Sequence, residues 1–415
     1  LPEPLGARLA RYGVEEEGTE RLWERFDARF DVTREPNEVN RFGWIVEVDP
    51  HDPAAAFQHT AFHYDVMRGL RGGQPWLLME QAPSAVNWRR RNGRKAPGRV
   101  RLDSWQAVAH GADSVLFFQW RASRGGAEKF HSAMVPHGGP QTPIHRAITA
   151  LGEELAAHPG LFGSAPQRAD TALLMDWPNW WALELDAHPS DVTFMDAAYA
   201  HHKPFHDASV ATDVVPLTAD LTPYKLVVVP NLYSVSTERA RALTGYVRGG
   251  GTLVMSYFSG ITDEHDRVHL GGYPAPFREL LGLTVEEFDP RPDGSWTEEI
   301  RLEGAEAVET FADGGPSVTR HAYGDGVAWY LGTRPDPAGM RRLMDRVRQE
   351  AGVHPVLPDL PAPRRNALEA ILLLEHDQGV AVEFRTVAVA VHTVLQLSAA
   401  RKPLRPGGEG LSLIH

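Results

Sequence analysis

Glu80 closes a short apolar run, Pro75-Trp76-Leu77-Leu78-Met79. A carboxylate held at the end of a buried strand can serve as a nucleophile. Glycosidic bonds in particular are cleaved by two carboxylates, about 5–5.5 Å apart when the configuration is retained. The same residue type at a strand end also caps helices and pairs with cations, so Glu80 alone leaves these readings open. The chain has eleven tryptophans, whose faces pack on the C–H faces of sugars but also fill cores and interfaces. His201, His202 and His206 could sit on one helix as metal ligands. No acidic partner pattern adjoins them, and a solvated face is the expectation. The basic run Arg89-Arg90-Arg91-Asn92-Gly93-Arg94-Lys95 reads as a solvated loop, because no aromatic or helical pattern extends it.

The elements around Glu80 follow a β/α rhythm. Gly43 to Val48 reads as a strand ended by Asp49-Pro50, and a helix runs from about Ala54 to Leu70, closed by Arg71-Gly72-Gly73. The Glu80 strand follows, then a helix over Val100 to His110 and the strand Ser114 to Phe118, ending in Gln119-Trp120. Ile144, Ile148, Leu151 and Leu155 mark another helical face, and Leu22, Phe26 and Phe30 mark one near the start. In a β/α barrel the active site lies at the carboxyl ends of the strands, where Glu80 and Gln119-Trp120 fall. A whole barrel takes about 250 residues. The span before the next unit is shorter, so the barrel's first half is expected to be missing or altered.

A second unit begins near Ala169. Thr171 to Met175 and Leu226 to Val229 are buried-type strands, and Ser236 can cap a helix carrying Ala240, Leu243 and Val247. Gly249-Gly250-Gly251 ends that helix before the strand Leu253 to Met255, and Met340 to Ala351 supplies a late helix. The pattern is that of an open doubly wound α/β domain. From about Asn366 it becomes strand-like, then fades into a Pro/Gly-rich tail.

Composition bounds the rest. The 415 residues are 42% hydrophobic, and the net charge of −12 argues against a nucleic-acid binder. Cysteine is absent, which removes disulfides, thiolate metal sites and a cysteine nucleophile, and leans the expectation toward the cytoplasm. No signal peptide is visible, and no run of about 18 apolar residues would span a membrane.

Two long stretches carry a family resemblance. Pro75-Trp76-Leu77-Leu78-Met79-Glu80-Gln81-Ala82-Pro83-Ser84-Ala85-Val86-Asn87-Trp88 is similar to the nucleophile segment of family 42 glycoside hydrolases, the microbial β-galactosidases. His110 to Arg121, continuing through Gly126 to His137, resembles the same family in order and spacing. The resemblance implies Glu80 as nucleophile and Trp88 as a substrate-binding tryptophan. It further implies that Glu128 and His131 hold sugar hydroxyls, with Phe118 as a wall of the galactose subsite. Bland counterparts are a surface helix over 128–131 and core packing for Trp88 and Phe118.

It implies an α/β fold in four parts: an unmatched segment 1–40, the carboxyl-terminal part of a TIM-type barrel over 41–160, an amidotransferase-like trimerisation domain over 165–355, and a truncated β-type tail over 362–415. Trp177 to Glu184 resembles a segment near the family's subunit contact. A galactoside substrate, a homotrimer and no cofactor are implied. The family's acid/base is the glutamate of an Asn-Glu pair far ahead of the nucleophile. Asn37-Glu38 stands too close to Glu80 and lacks a preceding apolar strand, so it reads as a loop dipeptide and the acid/base as absent. The leading reading is a retaining β-galactosidase, incomplete as given. The alternative is a noncatalytic sugar-binding or assembly protein.

Overall fold

The computed structural model describes residues 53–355 except 71, 89–91, 163–167, 186–187, 190–191 and 291–295. The expected helix near 21–30, the strand at 43–48, the Asn37-Glu38 pair and the β-type tail lie outside the described residues.

The first part is a β/α run. Helix α1 (Pro53–Gly69) leads to strand β1 (Trp76–Gln81), helix α2 (Arg99–Ala109), strand β2 (Ala112–Phe117) and helix α3 (Pro143–Ala156). β1 and β2 pair in parallel, with Trp76 opposite Ala112 and Gln81 opposite Phe117. Trp76 and Leu78 turn inward onto Tyr64, Ala107 and Ala112, while Leu77 and Met79 point the other way and are exposed. That is the period of two a strand imposes. Gly98 holds the left-handed conformation that lets the chain turn into α2, and Pro143 opens α3, where its missing N–H is no loss.

The second part is an α/β sheet of seven strands: β3 (Thr171–Leu174), β4 (Thr212–Val215), β5 (Leu226–Val229), β6 (Thr252–Ser256), β9 (Glu306–Thr310), β10 (Pro316–Tyr323) and β11 (Gly326–Leu331). A separate antiparallel pair joins β7 (Leu283–Pro290) to β8 (Trp296–Leu302). The sheet order is β4-β3-β5-β6-β11-β10-β9, parallel through β11 and antiparallel at β10 and β9. Every residue of β3, β4, β5 and β6 is buried, because helices cover both faces. One face packs Ala240, Leu243 and Val247 of α6 (Thr237–Arg248) and the short helix α7 (Arg278–Leu281). The other takes Phe205 of α5 (Phe194–Asp207) and Met340, Leu343, Met344 and Val347 of α8 (Pro337–Glu350). Helix α4 (Trp177–Leu183) follows β3, capped by Asp176. Ser236 caps α6 as its sequence predicts, accepting from the Arg239 amide.

Helix α1 binds the two parts together. Its Phe62 sits in a core with Leu173, Val214, Trp180, Phe194 and Trp296. Its last residue, Gly69, lies against β4 so closely that a Cβ there would stand 1.6 Å from the Val214 carbonyl oxygen. Between them Arg68 is buried between two acids. It meets Asp65 at 2.7 Å and donates through Nε to Asp213 at 3.0 Å and through Nη2 to the Thr212 carbonyl at 2.7 Å. Asp65 also accepts from His110 at 2.7 Å and from His202 at 3.1 Å.

The three histidines of α5 depart from expectation. His201, His202 and His206 are buried, not solvated, because α5 is flanked by α1, β4 and α8 and has little free face. Burial lowers the His201 imidazole to about 4 and lowers His206.

Candidate active site

The sequence around Glu80 explains its position. Alternation along β1 would carry Glu80 inward with Trp76 and Leu78. The register with β2 shifts between Leu78 and Gln81, so Gln81 turns in and Glu80 stays exposed near the strand's carboxyl end. An irregularity in pairing is a common means of re-aiming a side chain. Gln81 is then fixed: its side-chain oxygen accepts from Ser104 at 2.9 Å, and its carbonyl accepts from the Phe118 amide at 3.1 Å.

The loop after β1 is clasped to the loop after β2. The Ser84 amide donates to Ser132 Oγ at 2.8 Å, the Ser132 amide donates to the Ala85 carbonyl at 2.8 Å, and Asn87 donates to the Ala127 carbonyl at 3.1 Å. Lys95 braces the first loop from behind. It donates to the Ala82 carbonyl at 2.8 Å and pairs with Asp103 at 3.2 Å. This end of the basic run is therefore structural, not the solvated loop its composition implies. The second loop is tied into itself by Met134 to the Gln119 carbonyl and Val135 to the Trp120 carbonyl, both 2.8 Å.

These clasps gather three of the five candidate residues. The His131 ring lies 5.3 Å from Trp88 and 4.9 Å from Phe118, the latter edge to face. His131 is 2% exposed, whereas Trp88 is 61% exposed. Glu128 is exposed on the turn leading into His131, whose amide donates to the Glu128 carbonyl at 2.9 Å. No helix forms over 128–131. Glu80 stands at the same end of the strand pair, one residue before the Gln81 carbonyl that holds Phe118. The burial of His131 and the Ser84–Ser132 clasp were not read from the sequence. Their local mark in the sequence is two small hydroxyl residues, Ser84 and Ser132, one in each motif and 48 positions apart.

At the carboxyl ends of the seven-stranded sheet, where open α/β folds usually bind ligands, polar side chains bond to the neighbouring backbone. Asn179 donates to the Asn231 carbonyl and accepts from the Ser234 amide, and Ser256 and Ser259 accept from the amides of Asn231 and Leu232. Among the described residues no group of three His, Cys, Asp or Glu could hold a metal ion. No described helix is long and apolar enough to cross a membrane.

An exposed carboxylate near the end of β1, on a β/α run joined to an open seven-stranded sheet, makes this an α/β protein with a candidate site at its strand ends. Comparison with known proteins gives the family. Residues 21–158 match the family described as "Beta-galactosidase" and residues 169–354 match "Beta-galactosidase trimerisation domain". The chain belongs to glycoside hydrolase family 42, the β-galactosidase family. The first match begins inside the segment read from sequence as unmatched.

A β-galactosidase of an Arthrobacter species is 48% identical over 77% of this chain and 49% of its own length. BgaB of a Geobacillus species is 44% identical over 77% of this chain and 52% of its own length. The crystal structure of the Bacillus circulans sp. alkalophilus β-galactosidase superposes with a TM-score of 0.71 at 34% identity, covering 75% of this chain and 50% of that one. The chain spans about half the length of these relatives.

Proposed function

We propose that this chain carries the nucleophile of a retaining β-galactosidase that hydrolyses terminal non-reducing β-D-galactosides. Glu80 attacks the anomeric carbon, the bond to the aglycone oxygen breaks, and water later releases galactose from the glycosyl ester on Glu80. Trp88 and Phe118 cover the sugar's apolar face, and Glu128 and His131 take its hydroxyls. The observation that carries the reading is the joining of the two motifs, with Trp88, Phe118 and His131 in ring contact at the strand ends that bear Glu80. The relatives' names support the substrate class. On this reading residues 41–160 belong to the carboxyl-terminal part of a TIM-type barrel, and 165–355 assemble copies of the chain into a trimer in the cytoplasm.

No acid/base is identified in the chain, and the loss of general-acid help typically lowers rates about 10²–10⁴-fold. The 415-residue chain is therefore expected to turn over dinitrophenyl β-galactoside, whose leaving group needs little protonation, far better than lactose, on which activity should be very weak or absent. Robust lactose hydrolysis would contradict this and point to an acid in the chain, Glu38 first.

A further inference from the structure

Two buried polar atoms in the clasped loops have no hydrogen-bond partner among the described residues: Nε2 of His131 and Nε2 of Gln119. Their chemistry is complementary. The His131 ring points Nδ1 at the Ser132 carbonyl oxygen, 2.8 Å away. A carbonyl can only accept, so Nδ1 carries the proton and Nε2 of the neutral ring is a bare acceptor. Gln119 spends its side-chain oxygen on the Ser123 hydroxyl at 3.2 Å, which leaves its NH₂ as a donor. A buried polar group left unmet is destabilising, and such groups in folded proteins mark water or ligand positions. Both residues belong to the loop structure at the carboxyl end of β2, Gln119 next to Phe118 and His131 packed on Phe118.

We infer that Gln119 and His131 form a donor–acceptor pair that reads the hydroxyls of the bound sugar, Gln119 giving a hydrogen bond and His131 receiving one. The inference rests on the galactoside reading and goes beyond it in two ways. It adds Gln119 to the sugar-contacting residues, and it gives His131 one sense of hydrogen bond, so that the sugar must present a hydroxyl proton there. A fluorine in place of that hydroxyl cannot supply one.

The test uses the whole chain labelled with ¹⁵N. The His131 imidazole should show a protonated, pyrrole-type Nδ1 and a bare, pyridine-type Nε2. Methyl β-galactoside should shift Nε2 and the Gln119 side-chain amide pair, leaving Nδ1 in place. At least one monofluorinated galactoside should bind roughly tenfold more weakly, the value of one lost hydrogen bond. Gln119→Glu keeps an oxygen for Ser123 and replaces the donor, so it should bind roughly tenfold more weakly, while burial of the added carboxylate lowers the melting temperature. A merely structural Gln119 predicts unchanged binding in that variant.

A proton on Nε2 overturns the inference without any ligand. So does methyl β-galactoside binding, reported by calorimetry, that leaves both Nε2 atoms unshifted. Should Gln119→Glu fail to fold, the amide and imidazole shifts of the unaltered chain decide. Absence of galactoside binding by every reporter at saturating sugar would sink the galactoside reading, and this inference with it.

Discussion

Glu298 offers a sharp test of how the sheet is held together. Its carboxyl is buried, with one oxygen accepting from the Phe258 amide at 2.9 Å and the Trp296 indole at 3.1 Å, and the other from the Tyr330 hydroxyl at 2.6 Å. It thereby pins β8 to the segment after β6 and to β11. These are three neutral donors, and no cation forms an ion pair with it among the described residues. Burial outweighs the hydrogen bonds and raises its pKa to about 6 from 4.5.

The sign follows from linkage. The folded state favours the protonated form, so this contribution is fully present below about pH 4.5 and is lost as pH rises through about 6. At ~1.36 kcal/mol per pKa unit, the rise from 4.5 to about 6 makes the loss roughly 2 kcal/mol above pH 7. Glu298→Gln is neutral at every pH. Its amide oxygen can serve Phe258 and Trp296, and its NH₂ can donate to Tyr330. Urea unfolding followed by tryptophan fluorescence should find the variant about 1–2 kcal/mol more stable than the parent at pH 7.5, with the advantage gone by pH 4.5. Other titrating groups cancel in the difference. A variant destabilised equally at both pH values would refute the claim that the carboxylate is penalised by burial.

Other outcomes follow from the junction between the two parts. Arg68→Ala leaves Asp65 and Asp213 buried without their cation and should destabilise by about 3–5 kcal/mol in the same unfolding assay; Arg68→Lys should recover little, since a lysine cannot bridge both acids and the Thr212 carbonyl. Gly69→Ala drives a methyl into the Val214 carbonyl and should lower stability by at least about 1–3 kcal/mol, although alanine favours helix elsewhere. Acid should destabilise the fold: burial lowers His63, which meets Tyr199 across the junction, and His201, inside the second part, to about 4, so the stability their neutral rings contribute is present above about pH 6.5 and lost as pH falls toward 4. Replacing His201 by a neutral residue should flatten the pH dependence of the melting temperature in that window.

The sequence reports what is periodic or local. The helix at Arg99–Ala109, the strand at Leu226–Val229 and the Ser236 cap were legible because hydrophobic spacing and caps are written within a few residues. The Glu80 strand end was legible, but its outward turn depends on a register shift against β2, which only pairing defines. The burial of His201, His202 and His206 was misread because a polar stripe on a helix looks solvated until the elements that flank it, here α1, β4 and α8, are known; Phe62 and Gln58 of α1 lie against His202. The Arg68–Asp213 contact spans 145 residues and leaves no local mark. The His131 cluster was accessible through family resemblance alone; nothing in its own spacing foretold a ring held between Trp88 and Phe118.

The central claim is that Glu80 is the group to which the sugar becomes attached. The most direct measurement is mass spectrometry of the folded chain after incubation with 2-deoxy-2-fluoro-β-galactosyl fluoride, whose leaving group needs little acid help and whose fluorine slows release of the glycosyl ester. The account predicts one fluorogalactosyl adduct on the peptide containing Glu80, suppressed by excess galactose and absent in Glu80→Gln. An adduct on another carboxylate, such as Glu128, or no adduct on protein shown to bind galactoside, would contradict it.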